Sequence, residues 1–284
     1  MHPANHDALV STDWLAKNLD NPAISILDGT YHLPTARRDA AAEFTLKHLP
    51  GAARFDIDDI CDKDDVLPHM IPSAELFASK VSALGITNEH QVIVYDVYGM
   101  QSAARTWWMF RVFGHDNVTV LNGGLPKWEA EGRPITTATS PRSVSRFQAD
   151  FRPQLVRAID DVRRTVDTGD AQIIDARSAG RFNAAEPEPR AVMRSGHMPG
   201  AFSLPFTELL DTPYRTFKNT EAIRERVRAA NIDLDKPITI SCGSGVTACA
   251  VSLGLFQIGK KDASVYDGSW SEWGDRSDTP VVTD

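Results

Sequence analysis

Several things that specialised protein classes depend on are scarce or missing in this chain. Cysteine occurs three times in 284 residues, as Cys61, Cys242 and Cys249. An odd, small number without framework spacing excludes a disulfide-stapled secreted scaffold. No Cys-x-x-Cys pair exists, which removes the usual thiolate zinc site. No run approaches the ~18 apolar residues of a membrane span, and Met1 to Leu19 lacks the basic start and apolar core of a secretory signal. Positive charge is in deficit, with 30 basic against 38 acidic residues and a formal net charge of −8. That argues against nucleic acid or an anionic membrane as the main partner. The expectation is a protein of the reducing cytoplasm. What remains is ordinary for a globular protein, 42% hydrophobic and 24% charged, long enough for two domains.

The chain reads twice. His48-Leu49-Pro50-Gly51-Ala52 recurs as His197-Met198-Pro199-Gly200-Ala201, and Ile26-Leu27-Asp28 recurs as Ile173-Ile174-Asp175. Val92-Ile93-Val94-Tyr95-Asp96 matches Ile238-Thr239-Ile240-Ser241-Cys242, and Asn122-Gly123-Gly124 with Trp128 matches Asp267-Gly268-Ser269 with Trp273. The order is kept at offsets of 145 to 149 residues, which is the mark of a duplicated domain. The predicted organisation is a first domain over 1–136, a linker over 137–151, rich in Ser, Thr, Arg and Pro, and a second domain over 152–284. Short apolar runs at Ala171–Ala176, Ile238–Ser241 and Ala263–Tyr266 read as buried strands. Ile159–Val166, Glu221–Ala230 and Thr247–Ile258 carry helical patterns. The alternation predicts an α/β fold with mainly parallel sheets flanked by helices, and a ligand site beyond the carboxyl ends of the strands or in a cleft between the halves.

Cys242 falls at such a strand end, followed by Gly243-Ser244-Gly245-Val246-Thr247 and then a helix. Glycines let successive N–H groups curl inward, and the helix N-terminus adds partial positive charge. Both favour a thiolate, or a persulfide anion on the same sulfur. A cysteine phosphatase shares this cradle, but its phosphate needs a bidentate arginine five or six residues after the cysteine. Thr247 and Ala248 stand there, so the phosphatase reading fails.

The hexapeptide Cys242–Thr247 resembles the active-site loop of 3-mercaptopyruvate sulfurtransferases in the rhodanese superfamily. Arg105-Thr106-Trp107-Trp108-Met109-Phe110 and Tyr266-Asp267-Gly268-Ser269-Trp270 extend the resemblance over nearly the whole chain. It implies two tandem rhodanese-like domains, the first inactive because Asp96 replaces the cysteine. It implies sulfur transfer from 3-mercaptopyruvate through a Cys242 persulfide to a small thiol, thioredoxin or cyanide, with no metal or organic cofactor. Thiosulfate-specific relatives carry basic residues directly after the cysteine, whereas this loop has Gly243 and Ser244. A thiosulfate:cyanide sulfurtransferase, or a rhodanese-like module that only carries sulfur or docks a partner, is the alternative.

An uncharged loop cannot hold the donor's carboxylate. Arg181 and Arg190 offer planar forks suited to it, and they resemble the family's substrate clamp; Arg194 is left as surface. Gly243, Gly245, Val246 and Thr247 would line the donor from the loop. The resemblance also places Asp58, from Phe55-Asp56-Ile57-Asp58, in a relay with Ser244 and Cys242, and His69 on the cleft wall. Before Ser102 the family can carry a tyrosine where this chain has Gln101. Cys249 is expected in the core and Cys61 in a loop.

Overall fold

The structure, a computed structural model, describes residues 8–139, 141–190 and 193–283. The flanking residues, Ser140 of the expected linker and Ala191-Val192 lie outside that description. Contacts divide the chain into two compact units. The first holds the chain up to Lys63, then Ile71–Arg152 and Asp211–Phe217; the second holds Asp64–Met70, Pro153–Leu210 and the chain from Lys218 onward.

The first unit is built on β1 (Leu9–Val10), β2 (Ile24–Asp28), β3 (Ala53–Arg54), β4 (Gln91–Tyr95) and β5 (Val118–Leu121), in the order β1-β5-β4-β2-β3 with every pairing parallel. Its helices are α1 (Thr12–Ala16), α2 (Ala40–Leu46), α3 (Ala74–Ala83), α4 (Ala103–Val112) and α5 (Gly124–Ala130). The second repeats the plan with β6 (Val156–Arg157), β7 (Gln172–Asp175), β8 (Phe202–Ser203), β11 (Ile238–Ser241) and β12 (Ser264–Tyr266), in the order β6-β12-β11-β7-β8, again all parallel. Its helices are α6 (Ile159–Thr168), α7 (Ala179–Phe182), α8 (Thr220–Ala229), α9 (Val246–Gln257) and α10 (Ser269–Trp273); β9 (Leu210–Asp211) and β10 (Thr216–Phe217) form a separate two-stranded ribbon.

The sequence explains the central elements. Val92-Ile93-Val94-Tyr95 and Ile238-Thr239-Ile240-Ser241 are buried throughout, as expected of parallel strands covered on both faces. Helix α4, which follows the first of these strands, is buried along its entire length, and α9, which follows the second, along most of it. Helix starts are closed by side chains that accept a backbone N–H, Ser73 from Leu76 at 3.2 Å and Asn219 from Ala222 at 2.9 Å.

The repeated motifs do the same structural work in each unit. His48 Nδ1 bonds the Phe44 carbonyl at 2.7 Å, and His197 Nδ1 bonds that of Phe182 at 2.9 Å; each imidazole stacks on the same phenylalanine ring. Trp128 Nε1 donates to the Pro134 carbonyl and Trp273 Nε1 to the Pro280 carbonyl, both at 2.8 Å. The expected linker is not loose in its described part. Phe147 is buried among Phe77, Phe110 and His115, and the Ser145 N–H donates to the Ser82 carbonyl at 2.9 Å. Among the described residues no helix is long and apolar enough to cross a membrane.

Candidate active site

Cys242 follows β11 directly and is 1% exposed. Helix α9 begins at Val246, so the loop is tighter than the six residues read from the sequence, and Val246 and Thr247 belong to the helix's first turn. That change brings the helix N-terminus, whose first N–H groups have no partner within the helix, closer to the sulfur. Gly245 makes the turn in the left-handed region, φ 74°, where a side chain would be strained.

The start of α10 secures this loop. The N–H of Trp270 donates to the Cys242 carbonyl at 3.0 Å and that of Ser271 to the Gly243 carbonyl at 2.8 Å. Ser269 Oγ accepts from the N–H groups of both Cys242 and Gly245 at 3.1 Å, while donating to the Tyr266 carbonyl at 2.8 Å. Ser269 is fully buried and left-handed, φ 49°, an unfavourable conformation for a residue with a Cβ. Sequence reasoning passed over it. The signal was in the repeat: the matching residue of the first half is Gly124, also left-handed at φ 52°. A serine where the repeat puts a glycine marks a hydroxyl that offsets the strain.

Asp96 in the first unit fills the equivalent cradle with its own carboxylate. Oδ2 accepts the N–H groups of Gln101, Ser102 and Ala103 at 2.9, 2.8 and 2.8 Å, and Oδ1 that of Tyr98 at 2.8 Å. Asp96 is fully buried. The loop–helix arrangement of this fold thus holds an anion by backbone amides, and the duplicate without a thiol shows which charge it takes. Gln101, at the departure from the family pattern, accepts from Arg215 Nη1 at 2.9 Å.

Arg181 stands beside the loop, and Arg190 is linked to it through Ser271 of α10. Arg190 Nη1 donates to Ser271 Oγ at 3.1 Å, and that hydroxyl donates to the Gly243 carbonyl at 2.7 Å. Arg181 Nη2 lies 3.1 Å from where a Cβ on Gly243 would stand. The loop therefore has a cation beside it, although its own residues carry none. Arg181 is paired through Nε and Nη2 with Glu188, and Glu186 bonds Ser178 Oγ at 2.7 Å instead. Arg194 is not a solvated surface residue: its guanidinium bonds the carbonyls of Trp273, Gly274 and Thr279 and the Thr279 hydroxyl, tying down the segment after α10.

His69 is buried in the second unit, and its Nε2 stands 3.3 Å from Ser244 Oγ. The histidine expected on a cleft wall thus touches the loop hydroxyl itself. Asp58 is carried by the first unit and is exposed; its N–H donates to Asp56 Oδ1 at 2.9 Å and its carbonyl accepts from Cys61 Sγ at 3.2 Å. Cys61 is buried, which pushes its thiol pKa up, away from the reactive range of a redox sensor. Cys249 is fully buried on α9, with Sγ 3.1 Å from the Gly245 carbonyl.

The two units thus share one parallel α/β plan, with Asp96 at the strand end of the first and Cys242 at the matching strand end of the second. The Rhodanese-like domain family matches residues 11–131 and again 158–276. Thiosulfate/3-mercaptopyruvate sulfurtransferase 1, mitochondrial, of Arabidopsis thaliana is 42% identical over 97% of this chain and 78% of its own length. The 3-mercaptopyruvate sulfurtransferase of Escherichia coli K12 is 41% identical over 96% of each. The crystal structure of SseA from Escherichia coli, described as a 3-mercaptopyruvate sulfotransferase, superposes with a TM-score of 0.85 at 39% identity over 94% of this chain and all of that one. The chain belongs to the rhodanese family.

Proposed function

We propose that the protein is a sulfurtransferase that takes sulfur from 3-mercaptopyruvate onto Cys242 and passes it to a thiol acceptor. The observation that carries this reading is the pair of cradles: backbone amides grip the Asp96 carboxylate in one unit, and Cys242 stands at the matching strand end in the other. In the donor step the Cys242 thiolate attacks the donor sulfur. The carbon–sulfur bond breaks, its electron pair forms the pyruvate enolate, and protonation of that carbon releases pyruvate. In the acceptor step a thiolate attacks the outer sulfur of the persulfide, gaining it and returning the Cys242 thiolate. Small thiols, thioredoxin and cyanide are the acceptors this chemistry suits.

On this reading Arg181 and Arg190 hold the donor carboxylate, and Gly243, Gly245, Val246 and Thr247 line it from the loop. Ser244 bonds the sulfur. His69, at 3.3 Å from the Ser244 hydroxyl, supports a role for that histidine in the relay, with Asp58 supplying or removing the proton. The domain assignment is an inactive first domain over 1–136, a linker over 137–151 and a catalytic domain over 152–284. Three free cysteines suit a reducing compartment such as the cytoplasm.

The test compares kcat/KM for 3-mercaptopyruvate and thiosulfate in the wild type and in Arg190→Ala. Mercaptopyruvate is expected to be the better donor. Loss of one charge-assisted bond should raise its KM roughly tenfold to a hundredfold, while thiosulfate, which has no carboxylate, changes less. Equal losses for both donors refute the carboxylate clamp. The Arg181 guanidinium beside Gly243 favours a second reading, in which thiosulfate is also a donor. A kcat/KM for thiosulfate at or above that for mercaptopyruvate would make it the first.

A further inference from the structure

We propose that Glu188 is a positioning residue for the donor site: it fixes Arg181 over Gly243 and so decides how the donor's carboxylate is held. The proposal rests on the reading of Arg181 as part of the carboxylate clamp.

The argument starts from Arg177. Its side chain is fully buried, and each of its three nitrogens is bonded. Nε bonds both Asp175 oxygens at 3.0 Å, Nη2 bonds Asp175 Oδ2 and the Gly196 carbonyl at 2.6 Å, and Nη1 bonds Glu188 Oε1 at 2.6 Å. The face of its guanidinium lies 4.1 Å from the centre of a Trp270 ring, a further hold on a cation. Arg177 is therefore a fixed anchor, shut off from solvent.

Glu188 carries that rigidity outward. Its side chain is only 2% exposed. Besides the bond to Arg177 it takes Arg181 Nε, at 3.2 Å from each oxygen, and Arg181 Nη2 on Oε2. Asp175, Arg177, Glu188 and Arg181 thus form an alternating chain of charge that starts at the end of β7 and finishes beside the catalytic loop. Arginine has many rotamers, and a guanidinium without this tether would lose more freedom on gripping a carboxylate. The tether also explains the glycine after the nucleophile. A Cβ on Gly243 would stand 3.1 Å from Arg181 Nη2, so the tethered guanidinium would have to shift by a few tenths of an ångström to admit it.

Glutamine at 188 is the informative substitution. One amide oxygen can serve one guanidinium, and the NH2 group must face the other. Arg177 has Asp175, Gly196 and Trp270 to keep it in place, so Arg181 is the partner released. The experiment measures KM and kcat for 3-mercaptopyruvate and thiosulfate in full-length Glu188→Gln, Arg181→Ala and the double variant. Glu188→Gln is expected to raise the mercaptopyruvate KM severalfold, up to about tenfold, as for fixing one freed arginine side chain, with kcat within about twofold and the thiosulfate constants changed less. In the Arg181→Ala background it should change nothing further. A normal KM in Glu188→Gln beside a raised one in Arg181→Ala overturns the positioning role and leaves the clamp standing. An equal rise in both backgrounds makes Glu188 merely structural and also overturns it. An unchanged KM in Arg181→Ala removes the clamp and the proposal together. If Glu188→Gln does not fold, Glu188→Asp applies the same test, because a carboxylate one methylene shorter cannot hold Arg177 and Arg181 together. A severalfold rise in the mercaptopyruvate KM alone supports the proposal, and an unchanged KM overturns it.

Discussion

Replacing Ser269 by alanine should loosen the nucleophile's loop and destabilise the second unit together. The hydroxyl accepts the N–H groups of Cys242 and Gly245 at 3.1 Å and donates to the Tyr266 carbonyl, at a site with no solvent access. Alanine leaves two buried amides without that acceptor. An orphaned buried donor costs about 1–3 kcal/mol, and the loop can relax partly, so about 2–4 kcal/mol is the expected loss. Ser269→Gly removes the same hydroxyl but accepts the left-handed φ of 49° without strain. Relief worth ~1–2 kcal/mol, less the ~0.5–1 kcal/mol of added unfolded-chain freedom, makes glycine the milder change. The assay is urea unfolding at equilibrium, followed by the rate of persulfide formation on Cys242. Losses below about 0.5 kcal/mol, or alanine tolerated better than glycine, would refute the reasoning.

Asp96→Ala should cost the first unit about 2–4 kcal/mol, since four backbone N–H groups lose a charged acceptor, without slowing persulfide formation; differential scanning calorimetry with a donor assay checks both. Asp58→Asn should lower kcat for the donor step more than it raises KM, as loss of a proton relay does, and an unchanged kcat removes Asp58 from the mechanism. Exchanging Gly243 and Ser244 for Arg and Lys should move preference toward thiosulfate, measured as the ratio of kcat/KM for the two donors. Because a side chain at 243 meets Arg181, mercaptopyruvate should lose more than thiosulfate gains, and a donor ratio that does not fall refutes this.

The fold was legible because the duplication writes each rule twice. His48 and His197, or Trp128 and Trp273, make the same bonds in each copy, and short apolar runs alternating with helical patterns read as strands buried on both faces. Helix α9 starts at Val246, one residue before the Thr247 expected from its pattern, because the left-handed φ of Gly245 lets the helix begin there. The nucleophile and the two arginines were visible as residue types in a pattern. Their supports were not. Glu188 and Glu186 look alike in sequence, and only the buried Arg177 separates them. Arg194 read as surface because nothing local reveals that it bonds carbonyls some 80 residues away. Ser269 required comparing the two halves for conformation as well as identity.

The most direct test of the central claim is intact mass spectrometry of the protein after brief treatment with 3-mercaptopyruvate, followed by peptide mapping without reduction. The account predicts one added sulfur atom, located on Cys242, released by a small thiol and absent from Cys242→Ser, a variant that unfolds like the wild type. An added sulfur on Cys61 or Cys249, or its persistence in Cys242→Ser, would contradict it.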